Sequence, residues 1–342
     1  MNKIFFVGSF LVLTTTVAIA QQEYQFSNTM NNPFYLNPAA GGMTDVIQLE
    51  AGARMQWTGY DQSPTTFMLS GSSQINFKGK HSEKVIGEFN VKDETFFSGP
   101  KNSVAKSKHV IGGKIMSDNI GPFMKTSIAG SYAYHLPLTK SINFGAGIGL
   151  GYSNFRVNES RVVLYQQDDA AYMQFLGSTS GQSMLDAQAG LVVYSEKFFV
   201  GLSGTQLLKN KVKWNGVMTE SNMNRHLFLI AKYRFDIGEV HAIEPGAVLK
   251  STLNSPLSID FGARYIWKGA VWGGLQYRTN STLVFQVGAN IAKGLYLNYN
   301  YDQALGKLAG RGAGTHEIQL GLYLGKNRNV DKELKDNKEA KL

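Results

Sequence analysis

The sequence contains no cysteine. That excludes a disulfide framework, thiol catalysis and any cysteine-ligated metal. Proline is scarce, with 8 residues in 342, so long stretches are free to form unbroken hydrogen-bonded ladders. After Ala20 no run of 18 apolar residues occurs, and no later segment reads as a membrane-crossing helix. The 6 histidines (His81, His109, His135, His226, His241 and His316) are scattered without paired helical spacing, which speaks against a histidine metal cluster. No Gly-x-Ser-x-Gly elbow joins a strand to a helix, so the common serine-nucleophile arrangement is missing too. These absences leave no expected catalytic residue, cofactor or metal.

What is present begins with an export signal. Lys3 precedes a largely apolar stretch from Ile4 to Val17, and Ala18-Ile19-Ala20 supplies small residues before Gln21. This pattern predicts a secretory leader over 1–20, cleaved between Ala20 and Gln21. The formal net charge is +9. In an exported chain that charge points to anionic lipid headgroups or an acidic partner rather than to nucleic acid.

From residue 46 onward the dominant signal is a period of two. In 141–153 one face reads Ile142, Phe144, Ala146, Ile148, Leu150, Tyr152, and the other reads Ser141, Asn143, Gly145, Gly147, Gly149, Gly151, Ser153. The same alternation runs through Leu257 to Trp267 and Glu317 to Leu324. A soluble barrel or sandwich would alternate as well, with its apolar face inward. Three features favour the apolar face outward, toward lipid. The polar face is rich in glycine and carries Glu50, Arg54, Lys125, Lys232, Arg234, Asp260, Arg264, Arg278 and Glu317, a composition suited to a lumen. Aromatic residues gather near the expected strand ends, as at Trp57, Tyr132, Tyr134, Tyr265, Trp267, Tyr299 and Tyr301, where interfacial girdles form. Short and long connections also alternate.

The expected fold is therefore all-β: a transmembrane outer-membrane barrel of about fourteen antiparallel strands. Strands are expected near 46–57, 64–76, 108–118, 122–135, 139–153, 184–194, 197–205, 225–236, 240–250, 256–267, 269–278, 281–292, 294–301 and 314–325. Tight turns at 136–138, 195–196, 237–239, 268 and 293 would be periplasmic, and the long links 154–183, 206–224 and 302–313 extracellular, with both chain termini periplasmic. The link 77–107 breaks this rule, being long on the short side. The domain reading is a leader (1–20), an Asn- and Pro-containing segment in the lumen or across its periplasmic mouth (21–45), the barrel (46–325) and a charged, disordered tail (326–342).

Two chemical patterns have plainer explanations. His316 beside Glu317 could pair with a hydroxyl, as in an outer-membrane lipid hydrolase, but a polar residue next to a lumen ion pair accounts for it more simply. Gly145 to Gly151 alternates strictly with no helix after it, so it is a glycine-lined strand face rather than a phosphate loop. Asp168-Asp169 alone is too few ligands for a divalent-ion site.

The segment QFSNTMNNPFYLNPAAGG at 25–42 resembles the opening of the mature PorP/SprF family of type IX secretion system membrane proteins. The matching positions are Gln25, Phe26, Ser27, Asn32, Pro33, Asn37, Pro38, Ala39 and Gly42. Arg54-Met-Gln-Trp57 resembles the family's first-strand motif. DNIGPF, SYAYHLPL, YSEKFFVGLSGTQLL, RHLFLIAKYRF, EPGAVLK, LQYR, NYDQAL and THEIQLGLYLG follow in the family's order. The lysine-bearing link 77–107 and the extension past Gly325 depart from it.

The resemblance implies a non-enzymatic outer-membrane barrel acting in type IX secretion or gliding motility in Bacteroidetes-type bacteria. Its partners would be a secreted adhesin-like cargo or the periplasmic ring and lipoprotein components, besides outer-membrane lipid. Asn32, Pro33, Asn37, Pro38, Arg54, Trp57, Asp302, His316 and Glu317 are the residues expected to matter for partner contact. The alternatives are a passive outer-membrane pore and, more distantly, a lipid hydrolase or a soluble β-sandwich.

Overall fold

In the computed structural model, the described residues are 26–75, 106–162, 181–208, 211–212, 221–222, 224–252, 256–279, 281–306, 309–310 and 312–324. The alternating stretches form strands β1 (Ile47–Met55), β2 (Thr65–Ile75), β3 (Lys108–Ile120), β4 (Phe123–Pro137), β5 (Asn143–Val157), β6 (Gly181–Tyr194) and β7 (Phe198–Thr205). They continue as β8 (His226–Tyr233, resumed after Arg234 as Phe235–Ile237), β9 (His241–Thr252), β10 (Ser258–Trp267), β11 (Val271–Arg278), β12 (Thr282–Ala292), β13 (Leu295–Ala304) and β14 (Thr315–Leu324). A separate two-residue ladder, Lys211–Val212 with Ser221–Asn222, lies outside the main sheet. Each strand pairs antiparallel with the next, and β1 pairs with β14 from Ile47↔Leu324 to Met55↔His316. The sheet thus closes as a fourteen-stranded barrel with no free edge strand.

Burial is inverted relative to a soluble protein. On β5, Ile148 is 63% and Leu150 72% exposed, while Asn143 beside the turn is fully buried. On β14, Glu317 and Gln319 are fully buried while Ile318 and Leu320 face out. Leu69, Ile128, Leu185, Leu202, Phe261, Leu275 and Val287 continue this apolar outer belt around the barrel. A contiguous outer belt of this kind is stable only against hydrocarbon. Replacing Leu150, at the middle of β5, with Arg is expected to cost about 2–4 kcal/mol of folding stability in liposomes. The check is a denaturant titration followed by heat-modifiable gel mobility; an unchanged midpoint would contradict lipid contact there.

The barrel has unlike ends. One, the turn end, carries 138–142, 195–197, 238–240, 268–270 and 293–294, the close of β14 and the link between β2 and β3. The other, the loop end, carries the connections 56–64, 158–180, 206–225 and 305–314, with tighter ones at 121–122, 253–257 and 279–281. The turn expected at 136–138 falls later because Pro137 still pairs with Asn143, extending the β4–β5 ladder. Likewise β5 runs on to Val157 and β13 to Ala304, shortening two expected loops. Most of 77–107, much of 154–183 and 206–224, Asp168-Asp169, and all of 1–25 and 325–342 lie outside the described residues.

The lumen is filled by the chain's own N-terminal segment. Residues 26–42 form three single 3-10 turns, Ser27–Met30, Pro33–Tyr35 and Pro38–Ala40, and all but Asn31 are buried. The segment does more than lie across a mouth, because its contacts run along the lumen. Ser27 meets Glu317 and Asp302 near the loop end, Tyr35 meets Lys114 midway along β3, and Gly42 meets Lys108 at the turn end.

Candidate functional site

Three short turns in succession leave many backbone N–H groups without partners of their own, and each must be satisfied inside a closed barrel. The first turn has no capping side chain. The wall supplies one: Glu317 accepts from Ser27 N at 2.8 Å and from Asn28 N at 3.1 Å. A carboxylate placed against exposed N–H groups at the start of a turn is a favourable arrangement.

The other two turns explain the repeated Asn-Pro. Asn32 Oδ1 accepts from Phe34 N (3.1 Å) and Asn37 Oδ1 from Ala39 N (2.9 Å), while Pro33 and Pro38 occupy the first position of each turn. That is an N-cap followed by a residue whose missing N–H costs nothing there. Each Asn still has its amide NH2 to donate. Asn32 donates to Glu50 on β1. Asn37 Nδ2 donates to Leu191 O (3.1 Å) on β6 and Leu202 O (3.2 Å) on β7. One side chain therefore both shapes the turn and fastens it to the wall, which an ionised Asp, an acceptor only, could not do.

Glycine makes the close approach possible. A Cβ at Gly190 would overlap the Asn37 amide, and one at Gly147 would lie 2.7 Å from Ala39 N and 2.8 Å from Ala39 Cα. The glycine face foreseen as lumen lining is thus, at these positions, a seat for the segment.

A buried charge network holds the loop-end half. Arg54 Nη2 lies 2.8 Å from Asp302 and Nη1 2.9 Å from Glu317. Arg278 reaches Asp260 at 3.1 Å and Asp302 at 3.4 Å, and Lys250 reaches Asp260 at 2.8 Å. Three cations meet three anions, so the cluster is charge-balanced. Ser27 Oγ sits inside it, donating to Asp302 (2.8 Å) and accepting from Arg54 (3.0 Å). Glu317 accepts further bonds from Asn300 (2.9 Å) and Gln319 (3.1 Å). Separately, Arg264 and Lys232 pair with Glu244 at 2.9 and 3.5 Å. Lys114 Nζ donates to Tyr35 O (2.7 Å), and Lys108 Nζ to Met43 O (3.0 Å).

The opposite wall holds the segment by packing. Phe26, Met30, Tyr35 and Leu36 join a buried cluster with Val192, Phe199, Phe228, Ile230 and Val248 from β6 to β9. Two small gaps of about 10 Å³ each lie within the packed lumen, one beside Phe34 and Pro38, the other beside Met30 and Asn31.

The sequence-derived candidates divide into two groups. Asn32, Pro33, Asn37, Pro38, Arg54, Asp302 and Glu317 converge on this internal seat and are buried or held within it. Trp57 and His316 do not. Trp57 is 51% exposed at the loop end, in a left-handed conformation (φ 51°) uncommon for a bulky residue. It is held by Trp57 N donating to Thr315 Oγ1 (3.2 Å) and by Thr58 N donating to Gly314 O (2.9 Å). His316 faces outward, its Nδ1 2.7 Å from the Tyr299 hydroxyl, while Glu317 faces the lumen. The hydroxyl contact considered for His316 is thus made, with Tyr299, while Glu317 lies on the other side of the wall from it. The His316–Tyr299 contact recurs as His109–Tyr132 and His241–Tyr265, the pattern of an interfacial girdle. Arg234, expected in the lumen, stands instead at the turn end, paired with Asp236 at 2.7 Å, because the strand is interrupted there.

Sequence reasoning missed Ser27, Asn28, Lys114 and the inward Phe228 and Ile230. A signal existed: Leu227 to Ile230 is apolar on both faces, so β8 had to meet something apolar inside as well as lipid outside.

A family model described as "Type IX secretion system membrane protein PorP/SprF" matches residues 18–322. No curated protein matches the chain. Similar solved structures include outer membrane protein Omp33 of Acinetobacter baumannii, 9% identical with TM-score 0.45, covering 83% of this chain and 100% of that one. The toluene transporter TbuX of Ralstonia pickettii is 11% identical with TM-score 0.42, covering 86% and 92%. The toluene transporter TodX of P. putida is 10% identical with TM-score 0.43, covering 88% and 93%.

Proposed function

Because this chain belongs to the PorP/SprF family of type IX secretion system membrane proteins, we propose that it is a sealed, non-enzymatic outer-membrane platform that binds a partner protein of that system. The observation that carries this reading is the seat of the N-terminal segment. A lumen fastened along its length by wall carboxylates, lysines and backbone carbonyls is built to stay filled, unlike a diffusion path. With the interior committed, partner binding falls to the rims.

At the loop end, 56–64 and 305–314 are joined by Thr58 N to Gly314 O (2.9 Å) and Ala313 N to Thr58 O (2.8 Å), leaving Trp57 and Tyr60 about half exposed. Rigid, exposed aromatic side chains are the usual anchors of protein interfaces. In this reading Trp57 touches a partner, a secreted adhesin-like cargo. Asn32, Asn37, Arg54, Asp302 and Glu317 act on that partner only by keeping the barrel rigid beneath it. The loop end faces the cell surface and the turn end the periplasm, where ring and lipoprotein components would be met; gliding motility is the associated process.

The test is affinity purification from cross-linked outer membranes, comparing the native chain with Trp57→Ala. A secreted surface protein recovered with the native chain and reduced at least several-fold with Trp57→Ala is the expected result. Recovery of no other chain would remove the platform reading.

A further inference from the structure

Lys232 of β8 and Arg264 of β10 both turn to the one carboxylate of Glu244 on β9. They share even the oxygen. Arg264 donates to Glu244 Oε1 from Nε at 3.0 Å and approaches it with Nη2 at 2.9 Å, and Lys232 Nζ lies 3.5 Å from it. The three side chains are between 11% and 18% exposed, so one positive charge stands unmatched in a nearly closed place. The network around Asp302 differs, its three cations meeting three anions. Lys106 and Lys108 also share a carboxylate, that of Asp45, but Lys106 is half exposed and Lys108 donates to the carbonyls of Gly42 and Met43. A gap of about 10 Å³ opens beside the Lys232–Glu244–Arg264 trio, lined also by Gln276 of β11 and by Met30 and Asn31 of the segment that plugs the lumen. Gln276 is 5% exposed, yet its side-chain amide has no hydrogen-bond partner among the described residues. Asn31 is the one residue of 26–42 that is not buried.

We propose that this gap binds a single monatomic anion, chloride or another halide, held between Lys232, Arg264 and the Gln276 amide. A buried charge without a counterpart is costly. Water in the gap would satisfy the amide but leave the charge unmatched. A halide does both, accepting from N–H donors on several sides and supplying the missing negative charge. Size selects the class of anion: the gap has room for about one water-sized body, so phosphate or sulfate, with four oxygens, is too large. Lys232 is one residue from the close of β8 at Tyr233, and Glu244 and Arg264 each lie three residues from the turn-end limits of β9 and β10, about 10 Å of strand. An ion entering from the turn end therefore meets this site before the buried network around Arg54. Met30 closes the first turn of the plug and Asn31 caps it, so the bound ion links that turn to the wall formed by β8 to β11. The inference needs no partner protein and holds whichever protein the rims bind.

The test is chlorine NMR on the intact, folded chain in non-ionic detergent, titrated with sodium chloride. Exchange of chloride with a site on a slowly tumbling protein broadens the line of the free ion. The expected result is a broadening that bromide reverses and that phosphate at equal ionic strength does not. Two variants separate this site from the basic surface of the molecule. Lys232→Met removes the unmatched charge and leaves Arg264 paired with Glu244, while Gln276→Leu removes the amide donor without a change of charge. Heat-modifiable mobility checks that each is folded, and each is expected to reduce the bromide-sensitive broadening several-fold. Broadening equal in the native chain and both variants, or reversed as well by phosphate as by bromide, would place the ions on the outer surface and overturn the inference. A native chain that gives no broadening would overturn it too, the gap then holding only water.

Discussion

Replacing Arg54 with Met is expected to destabilise the folded barrel by about 3–5 kcal/mol, the range found when one partner of a buried ion pair is removed. Arg54 bonds Asp302, Glu317 and the Ser27 hydroxyl from inside a 3%-exposed position. Its loss leaves two anions facing each other with only Arg278, at 3.4 Å from Asp302, as compensation. Lys would not serve, because a point charge cannot fork toward both carboxylates at once. The measurement is the midpoint of guanidinium unfolding in detergent micelles, read by heat-modifiable mobility. Combining Arg54→Met with Asp302→Asn should recover part of the loss, since the charge left behind is then smaller. Equal midpoints for the native chain and Arg54→Met would show that the network does not hold the barrel.

Asn37→Asp tests the plug rather than the wall. The shape is conserved and the cap to Ala39 N survives, but two donations to Leu191 O and Leu202 O become a carboxylate facing two carbonyl oxygens. Unpairing buried groups and burying an unpaired charge together put the expected cost at about 3 kcal/mol or more. Asn37→Ser keeps a capping oxygen and isolates the loss of the wall bonds, so its effect should be smaller. Hydrogen exchange across 26–42 is the appropriate measurement. Faster exchange there with the strand ladders still protected is expected for Asn37→Asp, and exchange unchanged from the native chain would contradict the double role assigned to this residue.

The barrel was legible in the sequence because a period of two survives translation into structure residue by residue. Ile148 and Leu150 against Gly147 and Gly149 separate the two faces, and the glycine and charge on one of them, Glu317 included, marked that one as the lumen. Strand ends were less legible. Pro137 looks like a breaker, yet it continues β4, since only its missing N–H matters and its neighbours still pair. The plug seat was least legible, because its bonds join residues such as Ser27 and Glu317 that are 290 apart in sequence. No local pattern encodes such a pairing. The Asn-Pro repeat marked the right segment, but a cap and a wall anchor on one side chain become visible only when the wall is there. Glycines read as spacious lining were, at Gly147 and Gly190, contact surfaces for the plug.

Single-channel recording of the purified, intact chain in a planar bilayer bears most directly on the sealed lumen. A barrel closed by residues 26–42 predicts no stable conductance steps, and steps appearing once that segment is deleted. A steady open-channel current from the intact chain would contradict it.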